Sequence, residues 1–295
     1  MELFERPEMP GGRPPVFHTQ AADFNVLMAP DISREDRKRL LDDIPFRERH
    51  RWFRSMTSSQ ALALSVYGNL KLYGIMSLLN ELHDEDGTPI FGTEAITSEN
   101  FKMEHKVDSL GDPRPTSLDA LITGKHPVAI ECKLMESEVG SCSRPRLTER
   151  DSNYDKDFCN GTYTVQRNRT SRCSLTEIGV EYWDYVTRVF KWESDVDLAP
   201  CPLRSNYQLV RNLLAVSVPS DAMPSATGHV VLVYDERNPA FLDGGKGDAA
   251  YKQTRNALQE SDRLKRCSWQ QIVRLIRGKQ CLTWLTDQLE EKYGI

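Results

Sequence analysis

Residues 116–135, TSLDALITGKHPVAIECKLM, constrain this chain more than any other stretch. Between 127 and 135, Val128, Ile130, Cys132 and Leu134 fall on one side; Ala129, Glu131, Lys133 and Met135 fall on the other. That period of two is the signature of a strand. Leu118, Ala120 and Ile122 alternate with Ser117, Asp119 and Leu121 in the same way. Gly124, Lys125 and His126 suit a three-residue loop between two strands, and Pro127 is tolerated as the first residue of a strand. The residues therefore predict a β-hairpin pairing 123 with 127, 120 with 130 and 119 with 131. In that register Leu118–Cys132, Ala120–Ile130 and Ile122–Val128 share one apolar face. A slip of one residue would scatter them over both faces.

The register has a chemical consequence. It sets Asp119 beside Glu131 on the polar face, roughly 5 Å apart at Cβ. Like charges directly opposite each other destabilise a sheet, and a divalent cation between them removes that cost. Mg²⁺ is commonly held by one or two carboxylates, with water and substrate phosphate completing its shell. Lys133 lies on the same face, about 6–7 Å along the strand from Glu131. There it can orient or help deprotonate a water, or stabilise charge on phosphorus oxygens. The metal would polarise the phosphate and acidify the water. An ordinary solvent-facing hairpin with Lys133 neutralising Glu131 uses the same residue types. The register and the placement of Asp119 favour the metal-dependent phosphodiesterase reading.

Asp119 followed by Glu131-Cys132-Lys133 on the next strand resembles the PD-(D/E)XK nuclease superfamily. Leu118 stands where that motif often has proline. The resemblance implies Mg²⁺ (or Mn²⁺) bound by Asp119, Glu131 and the Cys132 carbonyl, with Lys133 assisting the attacking water. It also implies a restriction-endonuclease-like α/β fold, a mixed central sheet flanked by helices in α-β-β-β-α-β order. The substrate implied is nucleic acid, in the first instance DNA, with a role such as host defence or DNA processing. In the RecB-like branch a glutamine on the helix after the third strand approaches the site. Gln208, in Tyr207-Gln208-x-x-Arg211-Asn212, is the corresponding candidate here, beside the alternative of a helix-surface amide. Glu104 is a possible third carboxylate but reads more simply as a solvated strand residue. Asn69 suits either the site or a contact between helices.

The remaining elements follow from periodicity. Residues 57–82 predict a long helix, capped by Thr57 or Ser58 and presenting a broad apolar face. Residues 101–107 alternate as a strand. Residues 174–190 predict a helix opened by a Ser174-x-x-Glu177 capping box. Residues 205–218 predict a helix, 229–235 a buried strand, and 248–260, 268–277 and 280–292 further helices that make the C-terminal region helical. Residues 32–43 predict a short surface helix, and the Pro- and Gly-rich residues 1–30 an arm or flexible leader. The whole of 1–295 reads as one nuclease-like domain, with 136–205 inserted within it.

The insertion carries Cys142, Cys159, Cys173 and Cys201 among Gly, Pro, Ser and Arg residues. Four cysteines in irregular sequence can hold structural Zn²⁺ or an iron–sulfur cluster, although no Cys-x-x-Cys pair is present. Four thiols, some buried as small hydrophobes, are the alternative. Cys132, Cys267 and Cys281 read as core or structural residues. The insertion also holds Arg144, Arg146, Arg150, Lys156, Arg167, Arg169 and Arg172, interleaved with Tyr154, Phe158 and Tyr163. That combination suits phosphate contact and base stacking. A second basic group, from Lys252 to Lys279, reads more simply as a solvated surface.

A net charge of −5 does not mark a nucleic-acid binder, so any contact relies on a local positive field. No apolar run is long enough to cross a membrane and no secretory signal is visible, so a cytoplasmic location with reduced thiols is expected. No Gly-x-Ser-x-Gly elbow and no P-loop sequence is present, which excludes the commonest acyl-transfer and nucleotide-hydrolysing sites. A catalytically silent nucleic-acid-binding module and a cysteine-metal-centred regulatory or redox protein remain as alternatives. A partner protein or a homodimer is compatible with each.

Overall fold

The computed structural model describes residues 3–6, 14–112, 115–142, 175, 179–192, 200–218 and 227–295. Two short antiparallel strands, β1 (Phe4–Arg6) and β2 (Val16–Phe17), precede a five-stranded mixed sheet. The sheet comprises β3 (Phe101–Val107), β4 (Thr116–Ile122), β5 (Val128–Cys132), β6 (His229–Tyr234) and β7 (Leu264–Ser268), in that spatial order. The first three form an antiparallel meander; β6 and β7 add in parallel.

Helices cover both faces of the sheet. One apolar cluster joins Ala120, Ile122, Val128, Ile130 and Val231 to the helices spanning 59–72, Trp269–Gly278 and Thr283–Tyr293. The other joins Leu121, Ala129, Val230 and Leu232 to Tyr182–Val189, Leu203–Ala215 and Lys246–Ala257. Parallel strands covered on both faces need near-continuous apolar sequence, and HVVLVY supplies it in β6. The face of β5 expected to be polar is thus inside the protein, with Glu131 and Lys133 only 1% and 6% exposed.

The hairpin register is the one read from sequence, with Ala120↔Ile130, Leu121↔Ala129 and Ile122↔Val128 paired. One expected face-mate is wrong. Leu118 packs in the cluster of Leu121, whereas Cys132 packs in the cluster of Ala120. The alternation breaks at Asp119. Its facing position on β3, between the Met103↔Ala120 and His105↔Leu118 pairs, is Glu104, whose φ of +48° takes it out of the ladder. A non-glycine residue in the left-handed region costs roughly 1–3 kcal/mol and tends to mark a functional segment.

Other elements differ from the sequence reading in bounds. The first long helix runs only over 59–72, capped by the Ser58 hydroxyl, with a π-helical turn at Leu64–Gly68. Gly74, at φ +68°, stops it, because the Gly74 and Ile75 amides turn back to the Lys71 and Leu70 carbonyls. Only a 3₁₀ segment, Met76–Glu81, follows. Strand β7 was not anticipated. It is short and carries Lys265 and Arg266, which suit an edge strand. Ser268 ends it and also caps the next helix in a capping box with Gln271. The stretch expected as a leader contributes, in its described part, the strands β1 and β2, a 3₁₀ turn (Thr19–Asn25) and the core residues Val26 and Leu27. Residues 34–42 form the expected surface helix. Of the helix expected over 174–190, Tyr182–Val189 is seen; Ser174 and Glu177 lie outside the described residues. No helix among the described residues is long and apolar enough to cross a membrane.

Candidate active site

A cleft of about 810 Å³ opens where β3, β4 and β5 meet the start of the 59–72 helix and the Leu203–Ala215 helix. Asp119, Glu131, Cys132, Lys133, Glu104 and Gln208 all line it. The strands set most of this directly. The Ala120↔Ile130 pair puts Asp119 next to Glu131 across the hairpin, and the β3 register puts Glu104 on the other flank of Asp119. Beyond the last paired residues, the Asp119 side chain replaces the ladder: its Oδ2 accepts from the Cys132 amide at 2.7 Å.

Each charged group is held by specific partners. Lys133 Nζ donates to Glu131 Oε1 at 2.6 Å and to Gln208 Oε1 at 2.9 Å. Asn212 Nδ2 donates to Glu131 Oε2 at 2.7 Å, and an Arg211 guanidinium nitrogen lies 3.9 Å from that oxygen. Glu104 Oε1 accepts from Gln60 Nε2 at 2.6 Å. The strand end is pinned from behind, because the buried Trp269 indole donates to the Lys133 carbonyl at 3.0 Å. Asn238 donates to the Leu134 and Glu136 carbonyls. Glu136 in turn accepts from the Leu134 amide and from Ser59, which ties this segment to the first long helix.

Burial and neighbouring charge push these groups in different directions. Burial, then the Glu131 and Glu104 carboxylates, push the Asp119 carboxyl well above the usual range. Burial alone would raise Glu131 too, but Lys133, Arg211 and the hydrogen bonds from Lys133 and Asn212 hold it below its usual value. Burial opposes charge on Lys133, yet Glu131, Asp119 and Glu136 together keep it above the ordinary lysine range. In this setting the protonated form of Lys133 is favoured, and it donates hydrogen bonds to Glu131 and Gln208. Burial pushes Glu104 up to about 7, assisted by Glu131 and Glu48 and opposed by the bonds from Gln60 and Ser117.

Glu104 was expected in solvent and stands instead in the cleft, half-buried. Its raised pKa has a defined consequence for the metal-free protein. A carboxyl whose folded pKa exceeds its unfolded value is protonated in the fold but ionised in the unfolded chain across the interval between them. The unfolded state then binds fewer protons, so stability falls as pH rises. With a chelator present, Glu104→Gln should remove part of a stability loss between about pH 4.5 and pH 7, on the order of 2 kcal/mol. Urea denaturation of both proteins at several pH values measures it. Parallel stability curves for the two would contradict the assignment.

The other sequence candidates divide clearly. Gln208 is in the site. Asn69 is not: its amide donates to the Leu27 and Ser65 carbonyls in the core. Cys142 and Cys201 are buried in the second apolar cluster, and the Cys142 amide bonds to the Leu203 carbonyl. Cys159, Cys173, Arg144, Arg146, Arg150, Lys156, Arg167, Arg169 and Arg172 lie outside the described residues, as do Tyr154, Phe158 and Tyr163. The C-terminal basic residues are engaged within the fold, for example Arg266 with Asp248 and Arg277 with Glu290.

Sequence reasoning missed Asn212 and Arg211 as site residues. The signal was present: Gln208, Arg211 and Asn212 stand at i, i+3 and i+4 of one helix, so they share one face. Gln60 carried no comparable signal, because its partner Glu104 is 44 residues away. Gly140 was also missed. It has φ +90°, and a Cβ there would lie 2.2 Å from Gln208 Oε1. Gly140→Ala should cost about 1–3 kcal/mol in thermal unfolding. Adding Gln208→Ala should recover part of that loss, because the two sites are in contact. Purely additive losses would show that the clash is absent.

These residues can do definite chemistry. Asp119 and Glu131 could supply hard oxygen ligands, and a divalent cation held there would relieve the crowding of Glu104, Asp119 and Glu131. Among the described residues no group of three or more His, Cys, Asp and Glu side chains forms a preassembled cage. Searches of curated proteins and of solved structures gave no match. The mixed sheet with helices on both faces fits a restriction-endonuclease-like fold, and residues 8–294 match the family described as "Restriction Endonuclease associating with ARP", to which this chain belongs.

Proposed function

We propose that this chain is a PD-(D/E)XK-type nuclease that hydrolyses phosphodiester bonds of DNA with Mg²⁺ or Mn²⁺. The convergence of Asp119, Glu131 and Lys133 at one buried strand end inside the cleft carries this reading. The family's restriction-endonuclease description supports it. Asp119, Glu131 and the Cys132 carbonyl would hold the cation. Bound there, the metal would polarise the phosphate and acidify a water.

The protein's own groups complete the site. The Cys132 amide orients Asp119 toward the cleft. Lys133, then Arg211 and Asn212, favour the ionised form of Glu131 that a metal ligand needs. Lys133, held protonated, places a positive charge where a phosphate oxygen or the attacking water would sit. Gln208 fixes the direction of the Lys133 ammonium and can also orient the water. The family description further suggests that the protein acts with an ARP partner. A homodimer is the alternative assembly.

Incubation with supercoiled plasmid, linear duplex and single-stranded DNA, each with Mg²⁺, Mn²⁺ or EDTA, tests the reading. Metal-dependent strand cleavage is expected, and the preferred substrate identifies the DNA form. Stable DNA binding without cleavage in either metal would instead favour a silent binding module. A coloured or zinc-loaded protein without cleavage would favour a cysteine-centred role.

A further inference from the structure

Trp52 stands on the wall of the same cleft as Asp119 and Glu131, and 43% of it is exposed. Leaving so large an apolar ring in solvent forfeits much of the burial that tryptophan normally contributes. The ring is not on a loose loop. The Trp52 carbonyl accepts from the Ser55 amide at 2.8 Å, and the Trp52 amide donates to His50 Nδ1 at 3.3 Å. Buried Asn25 donates to the Phe53 and Ser55 carbonyls within this turn. Lys292, from the C-terminal helix, secures Asn25 in turn. These bonds fix the backbone of the turn that carries the exposed ring.

Two cations accompany the ring. The Arg51 guanidinium lies 5.2 Å from its centroid and that of Arg6 lies 5.9 Å away. Arg6 also lines the cleft, and its buried Nε has no hydrogen-bond partner among the described residues. The platform is tied to the carboxylates. The His50 amide donates to Gln60 Oε1, and Gln60 Nε2 donates to Glu104. An aromatic face and adjacent guanidinium groups beside a metal-binding strand end are the parts that grip an unpaired strand: the ring stacks a base and the cations meet its phosphates.

We infer that Trp52, flanked by Arg6 and Arg51, is a stacking platform for an unpaired nucleobase next to the scissile phosphate. The preferred substrate would then be single-stranded or locally unpaired DNA. This rests on the nuclease reading for the scissile phosphate, but the stacking itself is measurable without cleavage.

The test uses the full chain carrying Asp119→Asn, so that the strand stays uncut, with Mg²⁺ present. Oligodeoxynucleotides containing 2-aminopurine are supplied as single strand, as duplex with one unpaired base, and as full duplex. The parent should quench the unpaired 2-aminopurine. Adding Trp52→Ala should abolish the quenching and weaken binding of the unpaired forms roughly tenfold, while Trp52→Phe retains most of both. Full-duplex affinity should change by less than about twofold. Unchanged quenching in Trp52→Ala, equal losses on all three DNAs, or no binding of unpaired DNA by the parent would each overturn the inference. Cleavage by protein with Asp119 intact is scored separately. Trp52-dependent stacking without cleavage sinks the nuclease reading alone; cleavage with Trp52-independent binding sinks the stacking alone.

Discussion

Asp119→Asn is expected to reduce metal-dependent cleavage at least about a thousandfold, or about 4 kcal/mol of transition-state stabilisation. The asparagine oxygen can still accept the Cys132 amide, so the strand end keeps its geometry. What would be lost, in the proposed mechanism, is the anionic metal ligand beside Glu131. The metal-free protein should respond in the opposite direction. Asp119 is half-buried beside Glu131 and Glu104, and desolvation and those carboxylates oppose its ionisation. Removing its charge should leave stability in EDTA unchanged or raise it by about 1 kcal/mol. A large activity loss without a stability loss separates a ligand from a structural residue. Cleavage near the wild-type rate would remove Asp119 from the mechanism.

Glu131 should behave differently, because the proposed mechanism adds a chemical role to its structural one. Its carboxylate compensates Lys133, which is only 6% exposed, and accepts from Asn212. Glu131→Ala strands a buried ammonium, which costs about 3–5 kcal/mol. Adding Lys133→Met should restore most of that stability, since a methionine fills similar volume without a charge to satisfy. Neither variant should cleave DNA. Chemical denaturation of the two single variants and the double variant measures the coupling. A Glu131→Ala cost no larger than that of an exposed substitution, about 0.5 kcal/mol, would show that the buried pair does not exist.

The hairpin was legible because Ala120, Ile122, Val128 and Ile130 alternate strictly, and one register alone satisfies them. Leu118 was misplaced because the break that turns it lies on another strand, at Glu104, whose positive φ leaves no pattern in sequence. The burial of Glu131 and Lys133 was hidden for a related reason. A strand covered on both faces and a half-solvated one differ only in what packs on them, and the covering helix begins at Leu203. Gly74 ended the first helix through a capping geometry that apolar periodicity alone overrides. Strand β7 is five residues long and carries two charges, so period-two reasoning passes over it. Gln60 and Trp52 entered the site through tertiary contacts, which a reading of local pattern does not reach.

The most direct measurement is a time course of DNA cleavage by the full chain in Mg²⁺, Mn²⁺ and EDTA, alongside folded Lys133→Met. Metal-dependent strand scission by the wild type, abolished by EDTA and lost in Lys133→Met, is the expected result. Folded wild-type protein that cleaves neither single-stranded nor duplex DNA in either metal, or that cleaves equally well without Lys133, would contradict a nuclease centred on Asp119, Glu131 and Lys133.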